Sequence, residues 1–168
     1  MQNIRIEGKG QMGIEIERKF LVKETWPKEN GALYMQGYLS RQKERTVRVR
    51  VVGDKGYLTI KGESKKATRL EYEYMISVDD AKEMLELLCE KPILSKYRYK
   101  VLYKNTLWEI DRFLGENEGL ILAEVELENE DQRIDLPPWI GQEVTGDAKY
   151  YNANLIGNPY QKWGKKIQ

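Results

Sequence analysis

Apolar and polar positions alternate with a period of two along most of this chain, the pattern of half-buried β-strands. The alternation predicts strands over residues 14–22 (IEIERKFLV), 34–40 (YMQGYLS), 45–52 (RTVRVRVV), 57–62 (YLTIKG), 70–78 (LEYEYMISV), 96–103 (KYRYKVLY), 106–113 (TLWEIDRF) and 120–128 (LILAEVELE). The period changes once. Residues 79–90 (DDAKEMLELLCE) put Ala81, Met84, Leu85 and Leu88 on one face of a helix, opened by Asp79 or Asp80 as cap and closed before Pro92. A second, weaker helix is expected from about 147 to 156, ending at Gly157. The segments 53–56 (GDKG) and 104–105 (KN) read as hairpin turns, and 137–139 (PPW) as a loop. No repeat or linker divides the chain. Residues 1–11 fit no strand and read as a flexible extension or an alternative start ahead of Met12, which leaves 12–168 as one domain. Eight strands and one or two helices make an α+β, mainly β, antiparallel domain, built as an open sheet or a closed barrel.

One face of the strands carries the charge. Every second residue shares a face, which groups Glu15, Glu17 and Lys19; Arg48 and Arg50; Lys61; Glu71 and Glu73; Lys96, Arg98 and Lys100; Glu109 and Asp111; and Glu124, Glu126 and Glu128. Their neighbours are mostly Ile, Val, Leu, Tyr and Ala. An ordinary antiparallel sheet also meets water with a charged face, and any single strand fits that reading. The set fits it less well, because each strand tends to carry one sign, whereas a solvated face usually mixes signs. The tyrosines Tyr72, Tyr74, Tyr97, Tyr99 and Tyr103 supply core material on the other side. A sheet closed with its charges inward would set acidic strands against basic ones in a lumen suited to a polyanion and its metal ion.

Composition narrows the chemistry. The chain has 168 residues, 28 Lys and Arg against 27 Asp and Glu, a net charge of +1, no histidine and one cysteine. A balanced charge argues against a general nucleic-acid surface. The lack of histidine excludes histidine bases and ligands. A single cysteine excludes disulfide frameworks and cysteine-clustered zinc, and Cys89, in an apolar helical run, reads as a buried thiol. Any metal must therefore be held by carboxylates and water, which suits Mg²⁺, Mn²⁺ or Ca²⁺. No apolar run is long enough to span a membrane, and the N-terminus lacks the apolar stretch of a secretory signal. A cytoplasmic protein is expected.

Glu15-Ile16-Glu17-Arg18-Lys19 resembles the ExExK signature that opens CYTH domains, the triphosphate tunnel metalloenzymes. It is followed in the family's order by 36–39 (QGYL), 48–50 (RVR), 59–61 (TIK), 71–73 (EYE), 96–99 (KYRY), 108–111 (WEID), 123–126 (AEVE) and 144–147 (VTGD). The series spans nearly the whole chain and is similar to the short bacterial members. The resemblance implies an eight-stranded antiparallel closed β-barrel, a hydrophilic tunnel with peripheral helices. It implies Glu15, Glu17, Asp111, Glu124 and Glu126 as ligands of Mg²⁺ or Mn²⁺, or their close supports. Lys19, Arg48, Arg50, Lys61, Lys96 and Arg98 would hold phosphate, with Lys19, Glu73, Lys96 and Arg98 nearest the chemistry. Tyr38 matches a tyrosine lying over the site in similar proteins, or is a core residue. Family members often read Asp-Lys-Arg-Tyr where this chain has Asp147-Ala148-Lys149-Tyr150, so Lys149 would replace an arginine as a point charge. Lys100, Glu109 and Glu128 are left as lumen or rim charges. The implied activity is metal-dependent hydrolysis of inorganic triphosphate, with nucleoside triphosphates as further substrates. A class IV-type adenylate cyclase, a thiamine triphosphatase and a non-catalytic polyphosphate- or nucleotide-binding module remain as alternatives. The expected partner is a small-molecule triphosphate, with no nucleic acid and no membrane, and a homodimer is left open.

Overall fold

The computed structural model describes residues 13–23 and 25–164, so the expected extension over 1–11 lies outside it. Its strands are β1 (Ile14–Val22), β2 (Ala32–Ser40), β3 (Arg45–Val52), β4 (Lys55–Gly62), β5 (Thr68–Ile76), β6 (Leu94–Tyr103), β7 (Thr106–Phe113), β8 (Ile121–Glu126) and β9 (Ile140–Glu143). Two helices, α1 (Val78–Leu87) and α2 (Asn152–Gly157), complete the regular structure. Strands β5-β4-β3-β2-β6-β7-β8-β1 pair antiparallel in that order, and β1 returns to β5 through Ile14–Ile16, which closes an eight-stranded barrel. Closure leaves no free sheet edge along the ring. Lys104 and Asn105 join β6 to β7 with φ of 43° and 63°, the left-handed pair that a two-residue hairpin turn requires.

Because the charges point inward, the apolar core lies on the outside of the barrel. On one flank Phe20, Trp108, Ile110, Ala123 and Val125 are covered by Trp26, Trp139 and Ile140 from the connecting segments. On the other, Val49 and Val51 are covered by Ala81 and Leu85 of α1 and by Cys89. The helix approaches closely because two outward positions are glycine: a Cβ on Gly56 would meet the Ala81 Cβ at 2.8 Å, and one on Gly37 the Cys89 Cβ at 2.8 Å. A third cluster fills one end of the barrel. There the inward positions turn apolar, with Leu94, Phe113 and Leu122, and Leu155 and Ile156 of α2 pack onto them.

Several expectations need correction. The cap of α1 is Ser77, whose hydroxyl accepts from the Asp80 backbone N–H at 3.0 Å, rather than Asp79 or Asp80. The helix ends at Leu87, so Leu88 leaves the helical period and stands 67% exposed, outside the expected apolar face. Tyr99 joins the core as expected, but Tyr72 is exposed. The second helix is shorter than expected, a 3-10 turn over Ala148–Tyr150 followed by α2. Strand β9 was not anticipated. It is four residues long and pairs with β1 at Phe20 and Val22, too short a run to show a period. Cys89 is a buried free thiol, as read. Among the described residues no helix is long and apolar enough to cross a membrane.

Candidate active site

Residues directly opposite each other in an antiparallel pair share a face, so the register names the inside of the barrel. Glu15 faces Arg69, Glu17 faces Glu126, Lys19 faces Glu124, Lys61 faces Glu71, Thr59 faces Glu73, and Arg98 faces Asp111. The inward side chains line a cavity of about 1300 Å³. That exceeds the roughly 300–1,000 Å³ of ordinary small-molecule sites, leaving room for substrate, ion and water together.

The cations are buried and tightly partnered. Arg98 donates to Asp111 through Nε (2.7 Å) and Nη2 (2.8 Å), to Glu109 (2.9 Å) and to Glu124 (3.1 Å). Lys96 donates to Asp111 Oδ2 at 2.6 Å and to Asn152 Oδ1 at 3.0 Å. Lys61 lies 3.1 Å from Glu71 and 3.6 Å from Glu15, while Arg69 bonds Glu15 at 3.0 Å. Arg48 reaches Glu73 at 3.3 Å, and Lys19 reaches Glu124 at 3.3 Å. Arg50 bonds Gln36 Oε1 through Nε (3.1 Å) and Nη2 (2.9 Å). The guanidinium groups of Arg50 and Arg98 also stack on the ring of Tyr34, 4.9 and 5.2 Å from its centroid.

This crowding sets the protonation states. Burial, with Arg98 and Arg50 nearby, lowers the Lys96 pKa to about 7 despite Asp111. Burial and the neighbouring Arg48 and Arg98 lower Arg50 to about 10. Burial also works against the charge on Glu124, but Lys19, Arg98 and Lys96 outweigh it and hold its pKa well below the ordinary carboxylate value. Glu17 goes the other way. Desolvation in the lumen, with Glu124 and Glu15 beside it, raises its pKa to about 8. Near neutral pH Glu17 therefore keeps a proton that a divalent cation would replace. Among the described residues no three acidic side chains stand as a finished coordination shell, since Glu15 and Glu124 are turned to lysine and arginine. The donor chemistry nevertheless fits a hard ion: oxygen ligands only, on adjacent strands β1 and β8, crowded enough to hold a proton.

The structure brings most of the expected residues together. Glu15, Glu17, Lys19, Tyr38, Arg48, Arg50, Lys61, Glu73, Lys96, Arg98, Glu124 and Glu126 all line the cavity. Asp111, expected as a metal ligand or a close support of one, is fully buried beneath that lining and accepts from Arg98 and Lys96. Lys149 is exposed, its ammonium 4.0 Å from the centroid of Trp163. Arg69 lies outside the strand expected over 70–78, because β5 starts two residues earlier at Thr68, and the alternation Arg69, Glu71, Glu73 runs unbroken along it. Tyr34, Gln36, Tyr151 and Asn152 carried no charge pattern to mark them, although Gln36 stands in one of the matched motifs.

An eight-stranded antiparallel barrel with acidic and basic strands facing a common lumen defines a tunnel-type site for anions. The CYTH domain model matches residues 13–154, and the chain belongs to that family. It is 54% identical over 154 residues to an inorganic triphosphatase of Acetivibrio thermocellus, covering 90% of this chain and 99% of that one. It is 40% identical over 149 residues to an inorganic triphosphatase of Nitrosomonas europaea, covering 84% and 95%. A crystal structure of an inorganic triphosphatase superposes with a TM-score of 0.61 at 38% identity, over 84% of this chain and 97% of the other. CYTH triphosphatases are metal-dependent.

Proposed function

We propose that this chain hydrolyses inorganic triphosphate to pyrophosphate and orthophosphate inside the barrel, supported by Mg²⁺ or Mn²⁺. The observation that carries the reading is the convergence of Lys19, Arg48, Arg50, Lys61, Lys96 and Arg98 with Glu15, Glu17, Glu124 and Glu126 on one cavity. The names of the relatives agree with it. Phosphoryl transfer needs mainly positioning and charge neutralisation. The basic strands supply both: the lysines as point charges, the arginines as forks for pairs of phosphoryl oxygens. In the reaction the water oxygen bonds to the terminal phosphorus, the bridging P–O bond breaks, and the bridging oxygen leaves with pyrophosphate. Lys96, with its pKa lowered to about 7, is matched to moving a proton near neutral pH. Glu73, bonded to Thr59 at 2.8 Å and to Arg48, holds Arg48 against the lumen wall. Glu15, Glu17, Glu124 and Glu126 would hold the ion, which supplies charge neutralisation at the phosphoryl oxygens when bound.

The test is incubation with tripolyphosphate, ATP and thiamine triphosphate, each with Mg²⁺, Mn²⁺ or excess EDTA, with products separated by chromatography. Orthophosphate and pyrophosphate from tripolyphosphate, lost in EDTA, is the expected result. Cyclic AMP from ATP, preferred hydrolysis of thiamine triphosphate, or turnover that survives EDTA would overturn the reading.

A further inference from the structure

A chain of neutral amides runs beneath the phosphate-facing cations. Gln36 on β2 is completely buried. Its Oε1 accepts both bonds from Arg50, at 3.1 and 2.9 Å, and its Nε2 donates to Asn152 Oδ1 at 3.1 Å and reaches the Tyr38 hydroxyl oxygen at 3.2 Å. Asn152 Oδ1 accepts in turn from Lys96 Nζ at 3.0 Å. The direction of each amide is forced, because a guanidinium only donates and the Gln36 amide nitrogen then needs an acceptor at Asn152. Oxygen must therefore face Arg50 at Gln36, and Lys96 at Asn152. Asn152 opens α2, and the residues just before it touch a third cation: the Tyr150 carbonyl oxygen accepts from Lys19 Nζ at 3.4 Å, and the Tyr151 ring lies 5.8 Å from it.

The contrast with Arg98 gives this arrangement its meaning. Carboxylates of Asp111, Glu109 and Glu124 orient Arg98 and cancel its charge at the same time. Among the described residues both hydrogen bonds of Arg50 go to an uncharged carbonyl oxygen. An amide fixes the guanidinium as well as a carboxylate would, but leaves its positive charge to act on an incoming anion. The arrangement has a cost in the empty site, since Arg50 sits buried near Arg48 and Arg98, and the charge of Glu73 offsets only part of that cost.

We propose that Gln36, locked by Asn152, is a positioning residue that aims Arg50 at the substrate without pairing its guanidinium to a carboxylate, and so sets affinity for the polyanion. This rests on the reading of the lumen as a triphosphate site. The same contact makes α2 part of the site, since Asn152 ties that helix to both Gln36 and Lys96.

Gln36→Glu tests it. The variant keeps the shape and both bonds to Arg50 and adds an ion pair, and it turns an acceptor oxygen toward Asn152 Oδ1 where the amide donated. If Gln36 were a structural filler, the folded variant would keep the wild-type KM and be fully active. The proposal expects a folded variant, the new ion pair with Arg50 offsetting the lost donor to Asn152, with a rise of about tenfold to a hundredfold in KM for tripolyphosphate, the scale of one charge-assisted contact, and a smaller change in kcat. Calorimetric titration with pyrophosphate in EDTA should show the same weakening without turnover. Asn152→Ala, on the last link, should raise KM several-fold with little loss of stability, and it carries the test if Gln36→Glu does not fold. Wild-type KM and pyrophosphate affinity in Gln36→Glu, or in Asn152→Ala where that variant stands in, overturn the inference alone. A wild-type protein that neither binds nor hydrolyses tripolyphosphate overturns the site reading and this inference with it.

Discussion

Replacing Asp111 by alanine would remove the acceptor on which two buried cations converge. Asp111 has no exposed surface and takes hydrogen bonds from Arg98 Nε (2.7 Å), Arg98 Nη2 (2.8 Å) and Lys96 Nζ (2.6 Å). Breaking a buried ion pair by removing one partner costs about 3–5 kcal/mol, because the remaining charge stays desolvated. Here Arg98 keeps Glu109 and Glu124, and Lys96 keeps Asn152, so the lower end applies, about 3 kcal/mol. For a chain of this size that is a fall in Tm of about 6–12 °C. Asp111→Asn should lose most of the same amount, since a carboxamide turns two N–H groups toward donors. Urea unfolding followed by two probes measures the stability, and tripolyphosphate hydrolysis across a metal titration measures the function. An anchor for Arg98 and Lys96 gives lost activity that added Mg²⁺ or Mn²⁺ does not restore, whereas a ligand of the ion gives metal-rescued activity. Stability within about 1 kcal/mol of wild type, well under the buried-pair cost, or full rescue by metal would refute the anchoring argument.

Three further outcomes follow from the site and its supports. Glu126→Ala should lower kcat at least tenfold and recover partly at high metal concentration, whereas Arg98→Ala should cost about tenfold to a hundredfold in kcat/KM without rescue, and Arg98→Lys should restore little because it loses the fork; a steady-state metal titration of each variant decides. The Glu17 pKa, raised from 4.5 to about 8, means that the folded chain binds this proton more tightly than the unfolded one. The contribution of Glu17 to metal-free stability should therefore be fully present below pH 4.5 and be lost as pH rises toward 8, by up to about 1.4 kcal/mol per pH unit; Glu17→Gln should remove that part of the slope in EDTA, and an unchanged slope would count against the assignment. On the outside of the barrel, Leu85→Ala should cost about 2–4 kcal/mol by opening a cavity under α1, while the exposed Leu88→Ala should stay within about 0.5 kcal/mol in the same unfolding assay.

The strands and the one face of each that carries the charge were legible in the order of residues alone. Alternation is local: whether Glu15, Glu17 and Lys19 share a face depends only on the chain being extended, and their neighbours' hydrophobicity makes it so. The absence of histidine likewise restricted any ion to oxygen ligands before any contact was known. Tertiary structure alone decided whether the charged face lined a lumen or met water, because that depends on β1 reaching β5, more than fifty residues along the chain. It also decided the partners. Asp111 and Glu124 look alike as acidic residues on alternating strands, yet one lies under Arg98 and Lys96 and the other opens onto the cavity. Gln36 and Asn152 meet across 116 positions, and Leu88 loses its helical place to a chain that stops at Leu87. Such pairings are set by register, closure and the ends of elements, where several weak local preferences compete and packing between distant segments settles the outcome.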